Sequence, residues 1–255
     1  MALQLGDAVS DGIRRTFTRT GGILFIGFFA IQLSIQTSIN SALLGFLPPA
    51  AAEQFSTNAG LALPIPGSFG LAILAVLIIL SSAFFVVLSR TLAQPRSELP
   101  TFPATATRRL GRTTVIAIVG GLIVSVSIMI GTIFLVLPGV FLAVSCLFFI
   151  FAVAVEDLGL IESLKRSWGL ARGSRIKLGL LVVSSAIFGG IIGVIAPLLD
   201  LAGIPVVADI AICVLTTVFF VPYYAIIASA YRQLHNNEHP ADRSPSEPVH
   251  ASQTS

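Results

Sequence analysis

Apolar residues run along this chain in six blocks separated by short polar segments, at residues 22–46, 69–88, 113–137, 140–155, 178–199 and 207–230. A run of roughly 18 or more apolar residues with almost no charge is long enough to cross a bilayer as a helix. Lipid cannot satisfy exposed backbone N–H and C=O groups, so each block is predicted to be α-helical. The pattern predicts an all-α integral membrane protein with six transmembrane helices arranged as three hairpins. The fourth block is the shortest. Pro138 and Gly139 read as the breaker that turns span three tightly into span four. Residues 47–68 hold Pro48, Pro49, Pro64 and Pro66 and are predicted to form an ordered but irregular loop. Residues 200–206 make a short turn. Residues 1–232 form the membrane domain, and residues 233–255, almost without apolar side chains, are predicted to be a disordered tail.

Composition sharpens this picture. Of 255 residues, 55% are hydrophobic and 11% charged, against about 25% charged in a soluble domain. That excludes a water-soluble globular protein and a nucleic-acid binder. No piece outside the spans exceeds 25 residues, too short for a free-standing soluble domain, which usually needs about 40. The sequence therefore predicts no soluble catalytic domain. It also predicts no cofactor and no metal. Cys146 and Cys213 lie inside spans and read as small buried hydrophobes. His235 and His239 have i, i+4 spacing but no third ligand. Asp7 and Asp11 precede the first arginines, and the first apolar run is too long for a signal-peptide core, so no cleaved signal is predicted.

Charge sets the expected orientation. All 15 Lys and Arg residues fall in four segments. Arg14, Arg15 and Arg19 precede span one. Arg90, Arg96, Arg108, Arg109 and Arg112 follow span two. Lys165, Arg166, Arg172, Arg175 and Lys177 follow span four, and Arg232 and Arg243 follow span six. The positive-inside rule then predicts a plasma-membrane protein with both termini in the cytoplasm.

Two of these segments repeat a pattern. Asp11, Gly12, Ile13, Arg14, Arg15, Thr16, Phe17 aligns with Glu162, Ser163, Leu164, Lys165, Arg166, Ser167, Trp168 at an offset of 151 residues. Six of the seven positions agree in class; Arg108 and Arg109 before span three repeat only the basic pair. Leu160, Ile161, Leu164, Trp168 and Ala171 share one stripe at helical period, as do Leu5, Val9, Ile13, Thr16 and Phe17. Both segments are predicted to be amphipathic interfacial helices before spans one and five, aromatic side down. Gly173 is read as ending the second, with Ser174 capping span five. Each acid stands three and four residues before two bases, a spacing for intrahelical pairs. Arg14, Arg15, Lys165, Arg166, Arg172 and Arg175 are the candidate anionic-lipid contacts; the blander reading is a helix that sets insertion depth.

The remaining chemistry is sparse. Glu156 and Asp157 end span four, where pairing with Lys165 and Arg166 and capping the next helix is favoured over acid–base work. Asp200 and Asp209 flank the last outer turn, and Asp209 is read as reaching water at the interface. Gln32, Gln36 and Asn40, with Thr37 and Ser41 beside them, form a polar stripe on span one, either hydrogen-bond glue or a polar path. Ala117, Gly121 and Ser125 on span three, and Gly189 and Gly193 on span five, have small-xxx-small spacing for helix packing within the fold or between copies. Pro222 is expected to kink span six.

The stretch that runs through Pro138, Gly139, Glu156, Asp157, Gly159, the repeat copy Glu162, Ser163, Leu164, Lys165, Arg166, Ser167, Trp168, and Gly173 resembles the membrane domain associated with glycerophosphoryl diester phosphodiesterases. It resembles still more closely stand-alone archaeal relatives of that domain. In family members that are enzymes a separate soluble domain does the catalysis, and no such domain is expected in these 255 residues, so the resemblance implies a membrane module rather than an activity. The leading expectation is a non-catalytic six-span protein acting through membrane lipids, or as the subunit of a membrane protein partner or homo-oligomer. A small transporter or channel along span one is the alternative, and an intramembrane lipid-modifying enzyme is third.

Overall fold

A computed structural model describes residues 4–58, 60–94 and 109–238. Its elements are α1 (Leu5–Thr16), α2 (Arg19–Phe46), α3 (Pro49–Asn58), α4 (Gly67–Leu92), α5 (Leu110–Phe134), α6 (Val136–Ser145), α7 (Phe149–Val155), α8 (Leu160–Ala171), α9 (Arg175–Leu201) and α10 (Pro205–Glu238). Among the described residues all regular structure is helical. Six segments are long and apolar enough to span a membrane, with α6 and α7 together making the fourth. This is the all-α multi-span class that the hydropathy pattern predicts.

Sequential long helices pack on one another as α2 with α4, α5 with α6, and α9 with α10. The main core gathers Leu88, Phe148, Phe151, Leu178 and Tyr231, all buried, and Tyr231 stacks on Phe151 at 5.4 Å. A smaller core joins Val86, Ala117, Phe149, Val153 and Ala154. Many large aliphatics point outward, Ile133 at 75% exposure and Leu137 at 79% among them. That is the arrangement expected when the surrounding solvent is lipid. Helix α1 lies antiparallel along the end of α10: Gln4 N–H donates to Gln233 Oε1 at 3.1 Å, and Gly12 sits against Ile226.

Several sequence expectations are corrected. The chain reverses at Leu135, which is extended (φ −164°, ψ 135°), so Pro138 and Gly139 lie in the first turn of α6 rather than forming the breaker. Proline is tolerated there because early helical N–H groups have no intrahelical acceptor. Gly139 instead permits contact: a Cβ would stand 2.1 Å from Thr132 Oγ1. Span four is interrupted between Ser145 and Phe149. The loop after span one contains a helix, α3. Helix α10 continues to Glu238, so His235 is helical rather than part of a disordered tail. Polar residues there stay ordered because Arg232 and His235 have partners inside the protein. Helix α8 forms as predicted, but Ser163, Ser167, Leu170 and Ala171 are its buried residues, while Ile161 is 66% exposed. On α1 the buried face is Ala8, Gly12 and Arg15, with Ile13 and Phe17 outward. Arg172, Gly173 and Ser174 together link α8 to α9. Arg96, Arg108, Arg243 and His239, and the side chain of Asp200, lie outside the described residues.

Candidate functional site

The two ends of the bundle differ in chemistry. One end joins α1, the last turns of α4 and α10, the start of α5 and the α7–α8 turn through three ionic clusters. In the first, Asp11 pairs with Arg15 Nε at 2.8 Å and Arg232 Nη2 at 2.6 Å, and Ser229 donates to it as well. Arg15 also donates to the carbonyls of Leu92 at 3.1 Å and Gln94 at 2.7 Å. Burial pushes the Asp11 carboxyl up, but Ser229, Arg15 and Arg232 outweigh it and hold the group below the ordinary carboxylate range. In the second, Arg166 Nε meets both oxygens of Glu156 at 3.1 Å, Tyr231 donates to Glu156, and His235 Nδ1 lies 3.0 Å from Arg166 Nη2. In the third, Arg90 donates to Ala154 O at 2.6 Å and to Asp157 at 2.8 Å. Asp157 itself has φ 52°, a left-handed conformation that Asp adopts more readily than most residues.

These contacts settle several candidates. Arg15 is 2% exposed and donates to Asp11, Leu92 O and Gln94 O, and Arg166 pairs with Glu156, so both are engaged within the protein. The predicted Glu156–Arg166 pairing is present, while Asp157 takes Arg90, which the sequence argument missed. The repeat is out of register with the helices. Asp11 is the seventh residue of α1 and pairs along it; Glu162 is the third of α8 and accepts from Gly159 N–H at 3.2 Å as a cap.

At the other end Asp209 is 7% exposed rather than water-reaching. It accepts from Gln36 Nε2 at 3.1 Å, Asn40 Nδ2 at 2.9 Å and Leu61 N–H at 2.7 Å. Asn40 also donates to Leu61 O at 3.3 Å, and Leu63 N–H donates to Ser41 Oγ at 2.8 Å. Two of the three stripe amides therefore bind α2 to α10 and pin the segment that follows α3. Gln32 makes no hydrogen bond to the described residues.

The third feature is a groove at the α8–α9 junction. Leu164, Lys165, Trp168, Gly169 and Arg172 line a depression of about 380 Å³. Next to it, a wider apolar groove of about 580 Å³ runs past Pro138, Val140, Phe141, Val144 and Arg175. Trp168 and Phe141 meet edge to face at 5.4 Å, and the Arg175 guanidinium lies 4.6 Å from the Phe141 ring centre and 5.2 Å from that of Trp168. This cation–π contact fixes the fork. Nε and Nη2 of Arg175 are nevertheless buried without a hydrogen-bond partner among the described residues. Lys165 and Arg172 are exposed, and neither has an acidic partner among those residues. Lys165 and Arg172 thus line the depression, and Arg175, with two donors unmet, lines the apolar groove beside it.

A family model for a domain of unknown function, DUF7847, matches residues 3–234. The chain belongs to the DUF7847 family. The match runs from before α1 to Leu234 in α10, so both repeat copies and all six spans fall inside the DUF7847 domain. No curated protein and no solved structure matches the chain.

Within this DUF7847 domain the small-residue candidates divide. Ala117 is buried against α4 and α7, but Gly121 meets nothing within 4 Å and Ser125 is exposed. The close contact on that helix is at Gly120, where a Cβ would lie 2.1 Å from the Phe149 ring. The packed face is thus turned by one residue from the predicted stripe. Gly189 and Gly193 also meet nothing within 4 Å, so that face of α9 is open in this chain. Cys146 and Cys213 are free thiols. Pro222 lies inside α10, where it cannot donate a helical hydrogen bond.

Proposed function

We propose that this protein binds an anionic membrane phospholipid at the α8–α9 junction and acts through that contact, as a non-catalytic membrane module. The observation that carries the reading is the Arg175 guanidinium, packed against both Phe141 and Trp168 with Nε and Nη2 unmet beside an apolar groove. Buried donors are rarely left unpaired, and a planar fork matches the oxygens of a phosphate. An acyl chain would follow Val140 and Val144 while the headgroup meets Lys165 and Arg172. Each basic residue near an anionic surface contributes about 1 kcal/mol, so Lys165, Arg172 and Arg175 together supply about 3 kcal/mol.

The same reading places the ionic end in the cytoplasm of a plasma-membrane protein, since every Lys and Arg lies in the segments expected there. It takes α1 and α8 as interfacial helices, and treats the likeness to the phosphodiesterase membrane domain as kinship of a module rather than of an activity. The polar stripe of span one is structural in this reading, because Gln36 and Asn40 donate to Asp209.

Native mass spectrometry of the full chain, purified with phosphatidylglycerol and phosphatidylcholine, tests it. Wild type should retain phosphatidylglycerol selectively. Arg175→Lys, which keeps the charge but loses the fork, and Lys165→Gln with Arg172→Gln should retain less phosphatidylglycerol than wild type. Equal retention in all of them would refute the site.

A further inference from the structure

The first copy of the repeat also borders a groove. It has a volume of about 500 Å³ and is walled by Ile13, Thr16 and Phe17 at the α1–α2 turn, Gly22 and Phe25 of α2, and Pro222 of α10. No helix is shared with the α6–α8–α9 grooves. The correspondence holds at three positions: Ile13 aligns with Leu164 and Phe17 with Trp168, all four lining their respective grooves, and Arg14 aligns with Lys165. Phe17 is 86% exposed, an apolar ring left outside the protein core at the rim. Gly22 leaves the floor open, since a Cβ there would meet nothing within 4 Å. Two exposed cations neighbour the wall residues in the chain: Arg14 follows Ile13 and Arg19 opens α2, and neither has an acidic partner among the described residues. Arg15 is turned inward by Asp11 and the α4 carbonyls, so the outward cations of this copy are Arg14 and Arg19.

We infer that this groove seats an acyl chain of a second anionic phospholipid, its phosphate held by Arg14 and Arg19, so that each copy of the repeat carries one lipid. The inference rests on the α8–α9 reading, because the repeat transfers the class of occupant from one groove to the other. Exposed cations beside an apolar channel occur in both places, with Arg14 matching Lys165, while Arg19 has no basic counterpart in the second copy, where Leu170 aligns with it.

The test is the count of phosphatidylglycerol molecules retained by the full chain in native mass spectrometry. Wild type should hold two. Arg14→Gln with Arg19→Gln should hold one. So should Gly22→Leu, which keeps both charges and fills the floor, and Phe17→Ala, at a position too exposed to endanger folding. The Lys165, Arg172 and Arg175 variants should also hold one, and the combination none. A wild type holding one lipid, lost with Arg175→Lys and kept by Gly22→Leu, would overturn the second site and leave the first. Two lipids retained by both Gly22→Leu and Phe17→Ala would overturn seating in the groove. A count unchanged in every variant would overturn both sites.

Discussion

Ser163 and Ser167 stand one turn apart on the buried face of α8, both at 0% exposure, yet they should respond oppositely to loss of the hydroxyl. Ser167 Oγ donates to Ser145 O at 2.8 Å and accepts from Phe148 N–H at 3.1 Å. The interruption of span four creates this need. Leu147 N and Phe149 N turn back to Val144 O and Cys146 O at 3.4 and 3.0 Å, and Phe148 N takes Ser167 instead of a helical carbonyl. Ser163 Oγ is buried with no hydrogen-bond partner among the described residues. A buried polar group left unpaired costs roughly 1–3 kcal/mol. Ser167→Ala strands one donor and one acceptor, so it should destabilise the bundle by about 2–4 kcal/mol after relaxation. Ser163→Ala removes an unpaired hydroxyl and should be neutral or stabilising by up to about 1 kcal/mol. Titration with sodium dodecyl sulfate in mixed micelles, followed by fluorescence of the single tryptophan, Trp168, reads both variants beside the break. Equal stability of the two, or a larger loss for Ser163→Ala, would refute the claim that Ser167 repairs the broken span.

Two further outcomes follow from the docking of α1. Gly12→Ala raises helix propensity by about 1 kcal/mol, yet its Cβ would lie 2.7 Å from Ile226 N, so it should release α1 from α10 and speed proteolysis at the N-terminus. The Asp11 carboxyl is held below its ordinary value, so its contribution is complete above about pH 4, the unfolded value, and is lost as pH falls through the folded one. Protection of the α1 amides relative to their intrinsic exchange rates should therefore fall on acidification below about pH 4 in wild type and be low and independent of pH in Asp11→Asn.

The helical class and the six spans were legible because lipid imposes one simple rule, that long apolar runs must close their own hydrogen bonds. The Glu156–Arg166 pair was legible because its partners are ten residues apart, within one local turn and helix. What escaped depends on contacts between distant segments. Nothing near Arg90 announces Asp157, 67 residues away, and nothing near Asp209 announces Asn40, 169 residues away. Pro138 misled because proline has the same sequence signature in a turn as in the first turn of a helix. Phe141 and Arg175 were invisible as a pair, since their meeting depends on how α6 crosses the start of α9.

Counting basic residues merges two populations that the structure separates. Arg15 and Arg90 are turned inward, and each donates to a carbonyl at a helix C-terminus, Leu92 in α4 and Ala154 in α7, while Arg15 and Arg232 both donate to Gln94 O just beyond α4. The last carbonyls of a helix have no intrahelical donor and carry the negative end of its dipole. A guanidinium there satisfies several of them with one fixed fork, and an acid beside it, Asp11 or Asp157, balances the charge. These arginines hold helix ends together. Arg14, Arg19, Lys165 and Arg172 stay exposed without such partners among the described residues. A lysine in place of an inward arginine keeps the positive-inside signal but offers a point charge where the carbonyls need a fork. Stability should therefore depend on arginine at the inward positions, whereas lipid selectivity should depend on the outward ones and on Arg175.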